Sequence, residues 1–305
     1  MNTQKLKTIG RIALTGIVAA GLIASLAPPC YADNGPPGLE EEPMQLEDTT
    51  TDNNPDPFPI DFHLQTDVFS KYVFRGFTYS EEPVIQQTVS AAWKGLSLTG
   101  WGNFDTTIDE ITEADVIVDY THTFKDKLTL SLGYGYYTFP NSMVEVQPSK
   151  LETALTSTSA FLSGVQGLMD PEYVPPEEEA TDPEYKKATI TTHEVCASLT
   201  ANILLNPTLL VAHDFVEGKG TYVEASVSHD FDLGEKVELS TRAALGFNNY
   251  YFRERSGLSH AELNASLPIQ LTKWATLTPS ANFSKALDND FQDELYLGVG
   301  LGFDF

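Results

Sequence analysis

Charged residues recur in this chain at even spacings within otherwise apolar runs: Asp67, Lys71 and Arg75, then Asp115 and Asp119, Glu238 and Arg242, and His260 and Glu262. Glu194, Glu224, Asp230 and Asp304 stand in similar runs. In an extended strand successive side chains point to opposite faces, so residues at even separations share one. Facing charges across a narrow, partly wetted path interact at reduced dielectric and select ions: Asp and Glu favour cations, Lys and Arg favour anions. Ten residues are therefore candidates for lining a polar lumen: Asp67, Lys71, Arg75, Asp115, Asp119, Glu194, Glu224, Arg242, His260 and Glu262. Carboxylates outnumber cations, which points to a cation-preferring path. In a second reading Arg75 pairs with Asp67 or another wall acid and closes that path.

Catalytic signatures are absent. The chain has no Gly-x-Ser-x-Gly elbow, no His-Glu-x-x-His and no phosphate loop. His193-Glu194, His213-Asp214 and His229-Asp230 are adjacent pairs. In a strand, neighbours face opposite ways and form no dyad. No enzyme activity, cofactor or metal is expected. Asp288, Asp290, Asp293 and Glu294 suggest calcium, but a hard cation wants six to eight oxygens and this short run has no turn glycine. A net charge of −25 argues against a nucleic-acid partner, and two cysteines are too few for a thiolate zinc centre.

The elements that must position these residues are strands. Period-two alternation predicts twelve, at 62–76, 84–93, 96–105, 114–124, 128–138, 190–201, 208–215, 220–231, 237–247, 258–268, 275–284 and 294–305. Connections alternate between short and long: 94–95, 125–127, 202–207, 232–236 and 269–274 are short, while 77–83, 106–113, 139–189, 248–257 and 285–293 are longer, with 216–219 the exception. That is the pattern of short periplasmic turns and long outer loops, and an even strand count returns both ends to the periplasm. Aromatic residues predicted to face outward collect at strand ends. Phe74, Phe104, Tyr136, Phe215, Phe247 and Phe283 fall at the outer rim, and Trp93, Phe124, Phe231, Trp274 and Phe305 at the periplasmic rim. The fold class is all-β: a closed antiparallel transmembrane β-barrel of about twelve strands. A soluble β-sandwich shares the alternation but does not require the girdle.

The last strand alternates Leu295, Leu297, Val299, Leu301, Phe303 and Phe305 with Gly298, Gly300 and Gly302. It is expected to pair with the first strand and close the ring. Phe303 and the terminal Phe305 are the candidate assembly signal. The glycine lane either keeps the lumen open or relieves crowding.

Lys5, Lys7 and Arg11, then an apolar run over 12–26, then Pro28-Pro29-Cys30-Tyr31-Ala32, read as a secretory signal peptide at 1–32. An anchor helix would need a longer apolar run, and a lipoprotein signal would not place Pro29 before Cys30. Residues 33–59 hold eight acids, no base and repeated proline, a disordered acidic periplasmic tail. The barrel occupies 60–305, with a long acidic extracellular loop at 140–188. That loop contains a weak helical pattern over 151–169 and the repeat Asp170-Pro171-Glu172-Tyr173, Asp182-Pro183-Glu184-Tyr185. It is read as solvated, with constriction of the pore as the alternative.

Several motifs resemble one family. Ser70-Lys71-Tyr72-Val73-Phe74-Arg75-Gly76, Pro83-Val84-Ile85-Gln86 and Gly100-Trp101-Gly102-Asn103-Phe104-Asp105 are similar to the opening strands of TorF-type putative porins, proteobacterial outer-membrane barrels. His193-Glu194-Val195, Asn206-Pro207-Thr208-Leu209, His213-Asp214-Phe215 and Gly220-Thr221-Tyr222-Val223-Glu224 continue the likeness, which covers roughly 60–305 and departs at 141–188. The resemblance implies an outer-membrane porin-like channel for ions or small polar solutes and names no solute. The expected partners are outer-membrane lipids, lipopolysaccharide and the barrel assembly machinery. The alternative is a non-conducting structural or adhesive barrel.

Overall fold

The structure, a computed structural model, describes residues 60–145 and 185–305. The expected leader, the acidic tail and most of the 140–188 segment lie outside the described residues. The strands are β1 (Asp61–Phe69), β2 (Tyr72–Phe74), β3 (Phe77–Ser80), β4 (Val84–Trp93), β5 (Leu96–Asp105), β6 (Glu110–Phe124), β7 (Leu128–Glu145) and β8 (Tyr185–Ala201). There follow β9 (Thr208–Asp214), β10 (Gly220–Gly234), β11 (Val237–Asn249), β12 (Ser256–Ser266), β13 (Ile269–Thr272), β14 (Ala275–Ala286) and β15 (Glu294–Asp304). One compact unit runs to Phe139 and resumes at Thr191; Pro140–Ile190 form a second, of which the ends of β7 and β8 are described.

Antiparallel pairing passes from β1 through β4 to β12, then β14 and β15, and returns to β1. The ring is closed. β13 resumes the course of β12 after Leu267 and Pro268: Ile269 pairs with Val237 of β11 and with Leu277 of β14. Proline cannot donate to a ladder, which accounts for the interruption. Counting β12 and β13 as one position gives twelve. The first and last strands meet with His63 opposite Asp304, and Phe62 and Phe305 exchange backbone hydrogen bonds of 3.3 and 3.2 Å. The terminal strand closes the barrel, as its alternation predicts.

Alternation decides which way each strand faces. On β5, Ser97, Thr99, Trp101, Asn103 and Asp105 are buried, while Leu96 and Leu98 are half exposed. On β6, Glu113, Asp115, Ile117 and Asp119 are buried, against exposed Ile111, Val116, Val118 and Tyr120. The barrel is therefore polar inside and apolar outside, the reverse of a soluble protein. Such a surface needs lipid, and the closed ladder satisfies every strand's backbone within it. Trp93, Phe124, Phe231, Trp274 and Phe305 are exposed at one set of strand ends and Phe215, Phe247 and Phe283 at the other, while Tyr136 is exposed midway along β7. Among the described residues, no helix is long and apolar enough to cross a membrane.

The short turns follow their chemistry. Lys94 and Gly95 both have positive φ, 50° and 84°, as a two-residue turn twisted to match its strands requires. A side chain at Gly95 would sit 2.3 Å from the carbonyl oxygen of Thr121.

One prediction fails. Residues 62–76 are not a single strand: β1 ends at Phe69, and Tyr72 to Ser80 form a separate hairpin, β2 and β3. Phe74 is consequently not part of the outer girdle but is buried at 9% exposure. Tyr72, two residues before it, is likewise buried, at 3%. Alternation carries through a tight hairpin unbroken, so the pattern alone does not show where the chain leaves the wall. Smaller differences occur at strand ends: β6 starts earlier than expected, and residues 269–272 are strand rather than turn.

Candidate functional site: a hairpin inside a charged barrel

The turn of the β2–β3 hairpin is Arg75-Gly76, with φ of 50° and 82°. Gly76 is required twice over. Its backbone is left-handed, and a Cβ there would lie 2.6 Å from His260 Nδ1 and 3.1 Å from Phe291. The hairpin's side chains reach strands all around the ring. Tyr72 donates to Glu113 of β6 (2.8 Å), Ser80 to Asp105 of β5 (2.7 Å), Thr78 to Glu294 of β15 (2.9 Å) and Arg75 to Glu194 of β8. A segment bonded to strands so widely spaced can lie only in the bore.

Arg75 makes the deepest of these contacts. Its Nη1 and Nη2 donate to the two carboxylate oxygens of Glu194 at 2.6 and 3.1 Å, and Nη1 also donates to the Tyr251 hydroxyl at 2.7 Å. Tyr251 and Tyr137 in turn donate to Glu194 at 2.7 and 3.2 Å. The guanidinium lies 4.7 Å from the ring centre of Phe74, 4.9 Å from Tyr222 and 5.2 Å from Tyr251. A planar cation with forked donors suits a carboxylate and aromatic faces at once. Tyr251 is turned inward by Asn248, whose side-chain amide donates to the Tyr251 carbonyl at 2.8 Å and accepts from its N–H at 2.9 Å. Around the hairpin, Tyr72, Val73 and Phe74 pack with Phe69, Trp101, Ile117, Tyr137 and Tyr296 in a buried apolar cluster.

A second charged network lies on β10 to β12. Arg242 pairs with Glu224 and lies 3.6 Å from Glu262. Tyr222 donates to Glu224 (3.0 Å) and Tyr296 to Glu262 (3.1 Å). His260 is 1% exposed, its Nδ1 3.0 Å from the Ser259 hydroxyl and its ring stacked on Tyr222. From Asp304 of β15 a continuous ladder runs along β1 through His63, Gln65 and Asp67: His63 contacts Asp304 at 3.1 Å and Gln65 at 3.0 Å, and Gln65 donates to both Asp67 oxygens at 2.8 and 2.9 Å.

Lys71 sits nearer the surface, bridging Glu81 and Glu294. Asp115 accepts from the Thr138 N–H at 3.3 Å, and Asp119 is 1% exposed. Of the two alternatives for Arg75, Asp67 or another wall acid, the structure shows the second, Glu194. The structure thus gathers Arg75 with Glu194, and Glu224 with Arg242, Glu262 and His260, but leaves Asp67 and Asp119 outside both groups.

Adjacent pairs separate as strand geometry demands. Glu194 faces Arg75, while His193 lies outside against Tyr134, Tyr136 and Phe215. Asp214 faces inward, accepting from Thr192 and from the Gly218 N–H, whereas His213 contacts Thr221. The glycine lane is filled by the first strand's own side chains: a Cβ at Gly298 would meet Phe69 at 2.2 Å, and one at Gly300 would meet Asp67 at 2.3 Å. Its role is to relieve crowding, not to hold an open passage.

The acidic run at 288–294 is matched by basic side chains. Asp288 and Asp290 pair with Arg253 and Arg255, Asp293 with Lys285, and Glu294 with Lys71. The Lys285 ammonium, and then the Ala286 amide, hold the Asp293 carboxyl below its usual range. Phe303 and Phe305 stack on Trp274.

Residues 55–179 match a family described as bacterial protein of unknown function (Gcw_chp). That is a different description from the TorF-type resemblance. Among curated proteins no sequence matches. The chain is similar in structure to the KdgM porin in complex with disordered oligogalacturonate (9% identity, 80% of this chain and 99% of that one, TM-score 0.47). It is also similar to the NanC porin (9%, 80% and 100%, 0.43) and to the translocator domain of the autotransporter NalP from Neisseria meningitidis (11%, 83% and 90%, 0.42). The barrel assignment rests on the strand pairing itself.

Tyr251, Tyr222, Glu113 and Glu294 belong to the interior but are not among the sequence candidates. Tyr222 shares parity with Glu224 two residues on, a signal that would have found it. Tyr251 lies in a loop, where no periodicity applies.

Proposed function

We propose that this chain is a non-enzymatic outer-membrane channel for passive diffusion of ions or small polar solutes, preferring cations, and that the β2–β3 hairpin holds it shut at its outer end. The observation that carries this reading is the charge of the interior. Asp67, Glu113, Asp115, Asp119, Glu194, Asp214, Glu224, Glu262 and Glu294 are all buried inside the ring, while the basic side chains facing them among the described residues are Lys71, Arg75 and Arg242. Carboxylate walls favour cations. On β10 the inward residues loosen from Tyr222 and Glu224, nearly fully buried, to Ser226, Ser228 and Asp230, half-buried, so occlusion is greatest near the hairpin.

Conductance of the refolded protein in planar bilayers tests this. The wild type should be mostly silent, and removal of residues 71–81 should give reproducible steps with a cation-directed reversal potential. Anion preference would remove the selectivity claim. Silence in the deletion variant would favour a non-conducting structural or adhesive barrel, the reading supported by the apolar packing of Tyr72, Val73 and Phe74. The same proposal places the protein among outer-membrane lipids and lipopolysaccharide, with Phe303 and Phe305 presented to the assembly machinery.

A further inference from the structure

One group of polar atoms on the inner wall belongs to neither charged network. Asp119 of β6 is 1% exposed, and both of its carboxylate oxygens lack a hydrogen-bond partner. Two further orphaned oxygens stand on the neighbouring strands: Ser90 Oγ on β4, at 1% exposure, and Thr99 Oγ1 on β5, at 0%. The register sets Ser97 and Thr99 of β5 beside Asp119 and leaves Ser90 one strand further away. Ser90 is opposite Thr99, and Ser97, next inward from Thr99 along β5, is opposite Asp119. On the far side Asp119 is opposite Gly133 of β7, which contributes no side chain. No basic residue occurs on β4, β5 or β7, and the one on β6, His122, is exposed.

A buried carboxylate without a counter-charge is strongly unfavourable, and buried hydroxyls without partners add to that. Here two of the orphans, on Asp119 and Thr99, stand on adjacent strands one inward position apart. Hard cations take carboxylate and hydroxyl oxygens, and one carboxylate balances one positive charge. We propose that Asp119, with the hydroxyls of Ser97 and Thr99, binds a single monovalent cation such as sodium, with water completing its shell. The site lies on the wall away from Arg75 and Arg242 and requires no conduction, so it stands or falls apart from the channel reading.

The test is the thermal unfolding midpoint of the refolded barrel in detergent, read by its altered migration in unheated electrophoresis. Sodium chloride is titrated against N-methylglucamine chloride at matched ionic strength. In the wild type the midpoint should rise saturably with sodium and stay flat with the bulky cation; Asp119→Asn should abolish the difference. Should Asp119→Asn fail to fold, Thr99→Val, which keeps the shape, should weaken the apparent sodium affinity several-fold. Equal midpoints in the two salts, or an unaltered sodium response in either variant, would overturn the proposal. So would an infrared band of a protonated acid that disappears in Asp119→Asn and is insensitive to sodium, since a proton would then occupy the carboxylate.

Discussion

Arg75 and Glu194, 119 positions apart in sequence, meet as a forked ion pair at 2.6 and 3.1 Å with both side chains about 2% exposed. Removing either partner strands the other in the bore. Arg75→Ala should destabilise the barrel by about 3–5 kcal/mol, the range for breaking a buried pair. Replacing both by apolar residues, Arg75→Met with Glu194→Leu, should cost much less, because no charge is then left alone. Urea unfolding followed by tryptophan fluorescence would compare the two.

Gly76→Val displaces the hairpin by a change within its own turn. The branched side chain is strained at φ 82° and collides with His260 and Phe291. The expected outcome is a folded barrel, shown by retained heat-modifiable migration, with higher conductance than the wild type. Unchanged conductance with intact folding would mean that the hairpin does not control passage.

Two glycines on inward- and outward-facing positions should respond oppositely to alanine. At Gly300 the new methyl meets Asp67 at 2.3 Å, and overpacking of this kind costs about 1–3 kcal/mol. At Gly100 the nearest atom is 4.0 Å away, so Gly100→Ala should be neutral or mildly stabilising. Unfolding midpoints of the two variants give the comparison.

Acid should loosen the outer loop at Asp293. Its folded carboxyl titrates below the ordinary aspartate value because Lys285 and the Ala286 amide favour the charged form. A depressed folded value contributes stability that is present above the unfolded value of about 3.9 and is lost as pH falls through the lower folded one. Asp293→Asn should therefore flatten the acid limb of thermal stability in that window, and a variant as acid-sensitive as the wild type would refute the assignment.

The wall of this barrel was legible in period-two alternation because a strand in a lipid-facing ring has only two environments, and Leu96, Leu98 and Val116 declare one as plainly as Asp115 and Asp119 declare the other. The even strand number and the pairing of the terminal strand with β1 follow from the same logic. The hairpin was not legible. Tyr72 and Phe74 keep the alternation of the strand before them, and what sends them into the bore is a two-residue turn at Arg75-Gly76 together with partners more than a hundred residues away. The partner of Arg75 stayed open between Asp67 and another wall acid for a related reason: it is Glu194, 119 positions on, while Asp67 is held by Gln65 on its own strand. Loop residues such as Tyr251 carry no periodic signal at all.

β8 stands nearly opposite β1 in the ring order, and the hairpin springs directly from the end of β1. The hairpin, tied at its tip by Arg75 to Glu194, therefore crosses the ring from one wall to the other. A ring of strands joined only edge to edge can flatten under lateral pressure from lipid. This one carries an internal strut, and its cross-section should resist ovalisation for as long as the strut stays seated.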